Sequence, residues 1–304
     1  ADVTFGGYGR FGVLYQENAA GTDETNVTSR FRLQIDATAE SDMGVTFGAR
    51  ARIQQNNTDE NVSVTKGADG IFGTADDGLT TAGPAGTGIN GVRFFARTGG
   101  FEVGVGNIYG ALESMPGMYE IDLGLTGLSY EYTAYNFRGD AYSSGGNGAA
   151  GSNGVEALYS MGDLKVHISA SDTNDRVAGY VAYTYNGFTF AAAAQDSNAA
   201  GDTDYALSVV GNVGPAKVSL AYADNGDDTG VGTVNGDHYA LTASFDIGAA
   251  TNLDVYVADA DYFAETSYGI GAHHDLGGGV SLRGGIISKG DDTIRADMGV
   301  RFTF

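Results

Sequence analysis

The stretch TSRFRLQIDATAESDMGVTFGARARIQ, residues 28–54, decides the fold. Read in period two, Arg30, Arg32, Gln34, Asp36 and Thr38 point one way, while Phe31, Leu33, Ile35, Ala37 and Ala39 point the other. Alternation of this kind belongs to strands, because successive side chains leave opposite faces of a pleated chain. After the turn Ser41-Asp42-Met43-Gly44 the pattern repeats. Thr46, Gly48, Arg50, Arg52 and Gln54 share one face, and Val45, Phe47, Ala49, Ala51 and Ile53 share the other. Two neighbouring strands thus present one apolar wall and one cationic wall. A soluble sandwich would bury the apolar wall in its core; a membrane barrel would turn it to lipid and close the arginines around water.

Composition narrows the choice. The 304 residues contain no Cys, which excludes disulfide scaffolds, thiol redox chemistry and cysteine-ligated metal. With 49 Gly, 3 Pro, 18 Tyr and 15 Phe, the chain disfavours helix and favours strand. No run approaches the roughly 20 apolar residues of a spanning helix, so a membrane span would have to be a closed barrel, in which every backbone group is paired around the sheet. A formal charge of −22 argues against a nucleic-acid partner. Positive charge is nevertheless concentrated: Arg10, Arg30, Arg32, Arg50, Arg52, Arg93 and Arg97 all fall in the first hundred positions. The numbering begins at Ala1 without a charged, apolar leader, and the barrel reading therefore expects a cleaved signal peptide.

Seven short turn signals recur, at Ser41 to Gly44, Gly99-Gly100, Gly162-Asp163, Asn186-Gly187, Gly214-Pro215, Gly248 to Thr251 and Gly277-Gly278. Longer polar segments lie between them. Seven hairpins and one strand at each end give sixteen strands, an even number that lets the first and last run antiparallel and close the sheet. The last strand alternates Ile294, Ala296, Met298, Val300, Phe302 and Phe304 against Arg295, Asp297, Gly299, Arg301 and Thr303, which puts the terminal Phe on the lipid side. Two connections are too long for turns, about 56–90 and about 107–153, and loops of such length in a compact protein are usually functional.

These features together resemble the bacterial general diffusion porins, and the resemblance covers the whole chain. Asn107-Ile-Tyr-Gly-Ala-Leu-Glu-Ser-Met-Pro-Gly-Met-Tyr-Glu120 is similar to the third loop of porins of the alphaproteobacterial, Rhodobacter-like type. Leu276 to Ile286 and Asp297 to Phe304 look like their last two strands. The resemblance implies a 16-stranded antiparallel transmembrane β-barrel with an infolded third loop that narrows the pore. It also implies a homotrimer in the outer membrane of a Gram-negative bacterium, in contact with lipid and lipopolysaccharide and passing small polar solutes and ions without a required cofactor.

Crowded inward arginines repel one another, by about 1 kcal/mol in water at 4 Å and about 4 kcal/mol at an effective dielectric of 20, and so need water and facing carboxylates. The basic side is assigned to Arg10, Arg30, Arg32, Arg50, Arg52 and Arg93, with Arg283 and Arg295 extending it. The acidic side is assigned to Glu113, Glu120 and Asp122 in the first half of the infolded loop. A transverse field of this kind would favour polar solutes. Asp69, Asp76 and Asp77 mark a candidate calcium site, although the EF-hand spacing is lacking. His273 and His274 alternate faces and cannot chelate one ion from a regular strand. With four His and no motif around any Ser, a hydrolase is disfavoured. The alternatives are a secreted or surface acidic, calcium-stabilised β-protein, against which stands the absence of a Gly-Gly-x-Gly-x-Asp repeat, and a substrate-specific channel of the same fold.

Overall fold

The computed structural model describes residues 1–17, 23–58, 61–65, 78–82, 88–135, 139–144, 151–198, 202–226 and 236–304. Its first strands are β1 (Asp2–Gln16), β2 (Glu24–Glu40), β3 (Thr46–Thr58), β4 (Asn61–Thr65), β5 (Gly78–Ala82), β6 (Gly88–Ile89), β7 (Arg93–Thr98) and β8 (Phe101–Asn107). Next come β9 (Asn153–Met161), β10 (Leu164–Ser171), β11 (Val177–Tyr185), β12 (Phe188–Asp196), β13 (Asp204–Val213) and β14 (Ala216–Asp224). The last are β15 (Asp237–Asp246), β16 (Thr251–Ala260), β17 (Ser267–Gly277), β18 (Val280–Ser288) and β19 (Ile294–Thr303).

Every pairing in the main sheet is antiparallel, and β1 pairs with both β2 and β19, so the sheet has no free edge. Closure matters in lipid, where an unpaired backbone edge has no water to bond. The pieces β6 and β7 both pair with β3 and make one stave, interrupted at Asn90 to Val92. There the Asn90 side chain accepts the Arg52 amide at 2.6 Å, in place of a ladder bond. Counting β6 and β7 as one gives the sixteen staves expected. The expected loop at 56–90 is shorter than the sequence suggested: β3 continues to Thr58, and β4 and β5 pair as a separate two-stranded sheet within the connection.

The apolar face of the alternation is the outer face. Phe31, Phe47, Phe94, Phe190, Leu207 and Leu241 are all exposed, which for a water-soluble sheet would be untenable and for a lipid-facing wall is required. Tyr205, Tyr222, Tyr239 and Tyr268 face outward near the long-loop end, Tyr222 and Tyr239 being direct cross-strand partners. The carboxyl-terminal Phe304 stacks on Phe31 at 5.7 Å between ring centroids, and a Cβ at Gly7 would lie 2.1 Å from the Arg32 carbonyl oxygen, so this seam needs glycine there. The buried core therefore lies inside the barrel. It is made of Leu112, Met115, Met118, Leu123, Leu128 and Tyr132 of the connection after β8, packed with inward-facing alanines of β11 to β16 and with Leu14 of β1 and Ile287 of β18.

Candidate pore constriction

That connection crosses the barrel interior, and its path is pinned by inward-facing side chains around most of the wall. At its start the Tyr109 and Gly110 amides donate to the Glu156 carboxylate of β9, and the Ala111 amide donates to Ser169 of β10 at 3.1 Å. Farther on, Ser208 of β13 and Ser219 of β14 donate to the carbonyls of Pro116 and Gly117 at 2.5 and 2.8 Å. On the far side Asp297 of β19 accepts the Leu125 and Thr126 amides at 2.8 and 2.7 Å, and Arg10 of β1 donates to the Leu125 carbonyl at 2.7 Å. Gly124 makes this approach possible: its φ is +68°, and a Cβ there would lie 2.3 Å from the Asp297 carboxylate. The loop then returns, with His238 of β15 bonded to the Glu131 carbonyl at 3.0 Å and Ser267 of β17 to its carboxylate at 2.6 Å.

The arginines of β2 and β3 form an interlocked ladder. Arg32 donates to Gln54 at 2.6 Å, Arg52 to Gln34 at 2.8 Å, and Arg50 holds both oxygens of Asp36, at 2.6 and 3.2 Å. The register places each arginine opposite an amide or a carboxylate across these two strands, which spaces the like charges. Arg30 donates to Asn56 and to the Tyr8 hydroxyl. On the other side of β1 the crowding is greater, since Arg10 lies directly between Arg30 and Arg301 in register. Two devices relieve it. Tyr8 offers its ring to Arg32 at 5.1 Å and to Arg301 at 4.3 Å, and one loop carboxylate comes down onto the stripe.

That carboxylate is Asp122. Its Oδ2 accepts from Arg283 of β18 and from Arg301 of β19, each at 2.8 Å, while its side chain stays 44% exposed. The other two expected acidic residues sit elsewhere. Glu120 pairs with Lys217 of β14 and accepts the Gly117 amide, and Glu113 accepts the hydroxyls of Tyr119 and Tyr135 at 2.9 and 2.8 Å. The Tyr135 phenol is raised well above its usual range, by burial above all.

Two of the expected basic residues also differ in kind from the rest. Arg93 is 1% exposed and locked between Glu102 and Glu156 at 2.6 Å each, with its guanidinium 3.9 Å from the centre of the Tyr109 ring. It braces the start of the loop and does not face water. Arg10 is 9% exposed beneath the loop it anchors. The water-facing stripe is therefore Arg30, Arg32, Arg50, Arg52, Arg283 and Arg301, whereas Arg295 lies toward the long-loop end, opposite Gln16. Residues not singled out from the sequence complete the site. Tyr109 bonds Arg50 at 2.7 Å, Ser144 bonds Arg52 at 2.7 Å, Tyr142 stacks under Arg52, and Tyr119 and Tyr130 stand exposed on the loop. His273 turns inward to the Asp122 carbonyl and His274 turns outward to Thr251, in keeping with their alternation. Asp69, Asp76 and Asp77 lie outside the described residues, and among the described residues no cluster of three or more metal-ligating side chains occurs.

The model of the Gram-negative porin family matches residues 1–292. A porin of Fuscovulum blasticum is 32% identical over 322 residues, covering all of both chains. Among solved structures, a mutant of Rh. blastica porin superposes with a TM-score of 0.79 at 28% identity, and a triple mutant of Rhodopseudomonas blastica porin with 0.79 at 27%, each over the full length of both chains. A closed barrel with an apolar exterior and an arginine-lined interior agrees with these matches, and the chain belongs to the Gram-negative porin family, forming a passive diffusion pore across the outer membrane.

Proposed function

We propose that the loop after β8 narrows this pore to a charged opening, with Arg30, Arg32, Arg50, Arg52, Arg283 and Arg301 on the wall and Asp122 on the loop. One observation carries the reading: a half-exposed loop carboxylate held by two wall arginines at 2.8 Å each, beside Arg30, Arg32, Arg50 and Arg52, which keep their charge toward water. Six cations with two close carboxylates, Asp122 on the loop and Asp36 on the wall, leave a surplus of positive charge beside a negative spot. The resulting transverse field orients dipolar solutes and favours those that can replace the water they displace. Passage is down the solute gradient, and small hydrophilic solutes and ions are the natural cargo.

We infer further that three barrels associate side by side in the outer leaflet's lipopolysaccharide and that a signal peptide exports the chain. Both readings draw their support from family membership. Single-channel recording in planar bilayers tests the constriction and the assembly together. Conductance steps in threes are expected. Asp122→Asn, by freeing two arginines, should raise the anion-to-cation permeability ratio several-fold, since a charge about 4 Å away is worth about 1 kcal/mol even in water. An unchanged ratio would remove the loop from the constriction.

A further inference from the structure

Below the loop, toward the short-turn end, the inner wall of β15 to β19 encloses a cavity of about 570 Å³. Its two sides carry opposite charge. On β18 and β19 stand Arg283 and Arg301, which share a single oxygen of Asp122, so most of their N–H groups are left for other acceptors. The Arg301 Nε is buried and has no hydrogen-bond partner. Facing them are Asp246 at the end of β15 and Asp275 on β17, both exposed. Asp246 accepts from the Asn252 amide and Asp275 from the Gly277 backbone, and neither is paired with a cation among the described residues.

The register fixes the spacing. Asp275 is opposite Ser281, and Ser281 is opposite Arg301, so acid and base stand two strands apart, roughly 9.6 Å between backbones. Side chains leaning toward each other across that gap leave room for a solute a few ångströms long. Ser281 and Thr303 line the space between; their hydroxyls donate to the Arg301 and Gly279 carbonyls, and Ser281 accepts from Arg283 Nε, so what they offer a solute is a remaining acceptor lone pair.

We propose that this cavity is a low-affinity site for zwitterionic solutes of amino-acid or dipeptide size, carboxylate toward Arg283 and Arg301, ammonium toward Asp275 and Asp246. The proposal rests on the pore reading above and adds a solute class to it. A guanidinium pair suits a carboxylate because planar N–H groups match its two oxygens. An anion of equal size is drawn by the arginines but repelled by two unpaired aspartates, and a cation meets the reverse. Only a solute with both charges satisfies both sides. Open access to water keeps the binding weak, which a conducting site requires.

The test is potassium chloride current through the full-length protein in a planar bilayer, with three probes of one skeleton: glycylglycine (zwitterion), N-acetylglycinate (anion) and glycylglycinamide (cation). Glycylglycine is expected to reduce the current at concentrations roughly threefold lower than either singly charged probe. The double variant Asp246→Asn with Asp275→Asn, and separately Arg301→Gln, should bring it to the level of the others. Equal potency of the three probes on the unmodified protein overturns the site, as does a glycylglycine effect that survives both variants. A protein giving no conducting steps at all overturns the pore reading and the site with it, whereas steps with equal probe potency overturn the site alone.

Discussion

The two halves of the inner wall are made of different residues and hold the same loop by different means. From β11 to β16 many inward positions are small: Ala178, Ala182, Ala191, Ala193, Ala206, Ala221, Ala223, Ala240 and Ala258 are all buried. Their shallow side chains leave depth for Leu112, Met118 and Tyr132 of the loop, giving a mostly apolar contact to which Ser208, Ser219 and His238 add hydrogen bonds. From β17 round through β1 to β3 the inward positions are long and charged, and Arg50, Arg283 and Arg301 keep 18–27% of their side chains exposed. There the loop is attached by polar bonds and by Leu123, Leu125 and Leu128, which lie against Gly271, Gly12, Gly299 and Gly285 between the charged positions. The difference teaches that the apolar half fixes where the loop lies, and the charged half is thereby left to face water. On the proposed reading, charge decides what crosses, and small apolar residues help decide where.

A charge placed in the apolar half should break this division most severely. Ala206 is 0% exposed, and Ala206→Asp would put an uncompensated carboxylate there, a defect of about 3–5 kcal/mol. The barrel's own ladder is untouched, so the loop should leave the wall. Expected in planar bilayers are noisy channels of roughly doubled conductance; quiet channels of normal size would show that the alanine wall does not hold the loop.

Arg93→Gln probes an arginine of β7, next to the charged half, that is buried like the residues of the apolar half. It leaves Glu156 buried, with His167 and the Tyr109 and Gly110 amides as its remaining partners, and removing one member of a buried pair costs about 3–5 kcal/mol. The folded-to-unfolded shift on unboiled gels should move to lower temperature, with ion selectivity little altered. A selectivity change without loss of heat resistance would put Arg93 back among the water-facing residues. Arg30→Gln with Arg32→Gln should do the converse. Both side chains face water, so the reversal potential in a salt gradient should move toward cations, by about 1 kcal/mol or less per charge removed, and heat resistance should stay close to its original value.

Much of this was legible in the sequence because strands write their two faces into alternate positions. The seven short turns fall where glycine signals mark them, Gly44, Gly187 and Gly248 among them, each with positive φ and no neighbour that a Cβ would meet. The arginine stripe was legible for the same reason. The partner of that stripe was harder to read. Glu113, Glu120 and Asp122 look alike in the sequence, and only the irregular path of the loop, set by Gly124 and Asp297, brings Asp122 to the arginines. A loop has no period from which to infer direction. Arg93 fits the inward pattern but is covered by Glu102, Glu156 and Tyr109, contacts from strands and loops distant in sequence. The alanine wall was invisible too, since an Ala-Ala-Ala-Ala run such as Ala191 to Ala194 gives no contrast between its faces.

The smallest expected effect concerns the loop's own tyrosines and separates the two modes of attachment by pH. Tyr132, 1% exposed and set edge-on to Tyr256, has its phenol raised above the ordinary value of about 10, burial being the main cause, and Tyr135 is raised in the same way. A docked loop therefore binds the neutral phenols. The stability this gives is fully present below the unfolded-state value and is lost as pH rises through the higher folded-state values. Conductance should accordingly be flat from about pH 6 to pH 9, with loosening only above about pH 10. Ultraviolet absorbance of phenolate, followed alongside conductance, checks the assignment. Phenolate appearing together with a rise in conductance ties loosening to the apolar contact, whereas a rise below about pH 9 without phenolate would place the weak point in the polar bonds of the charged half.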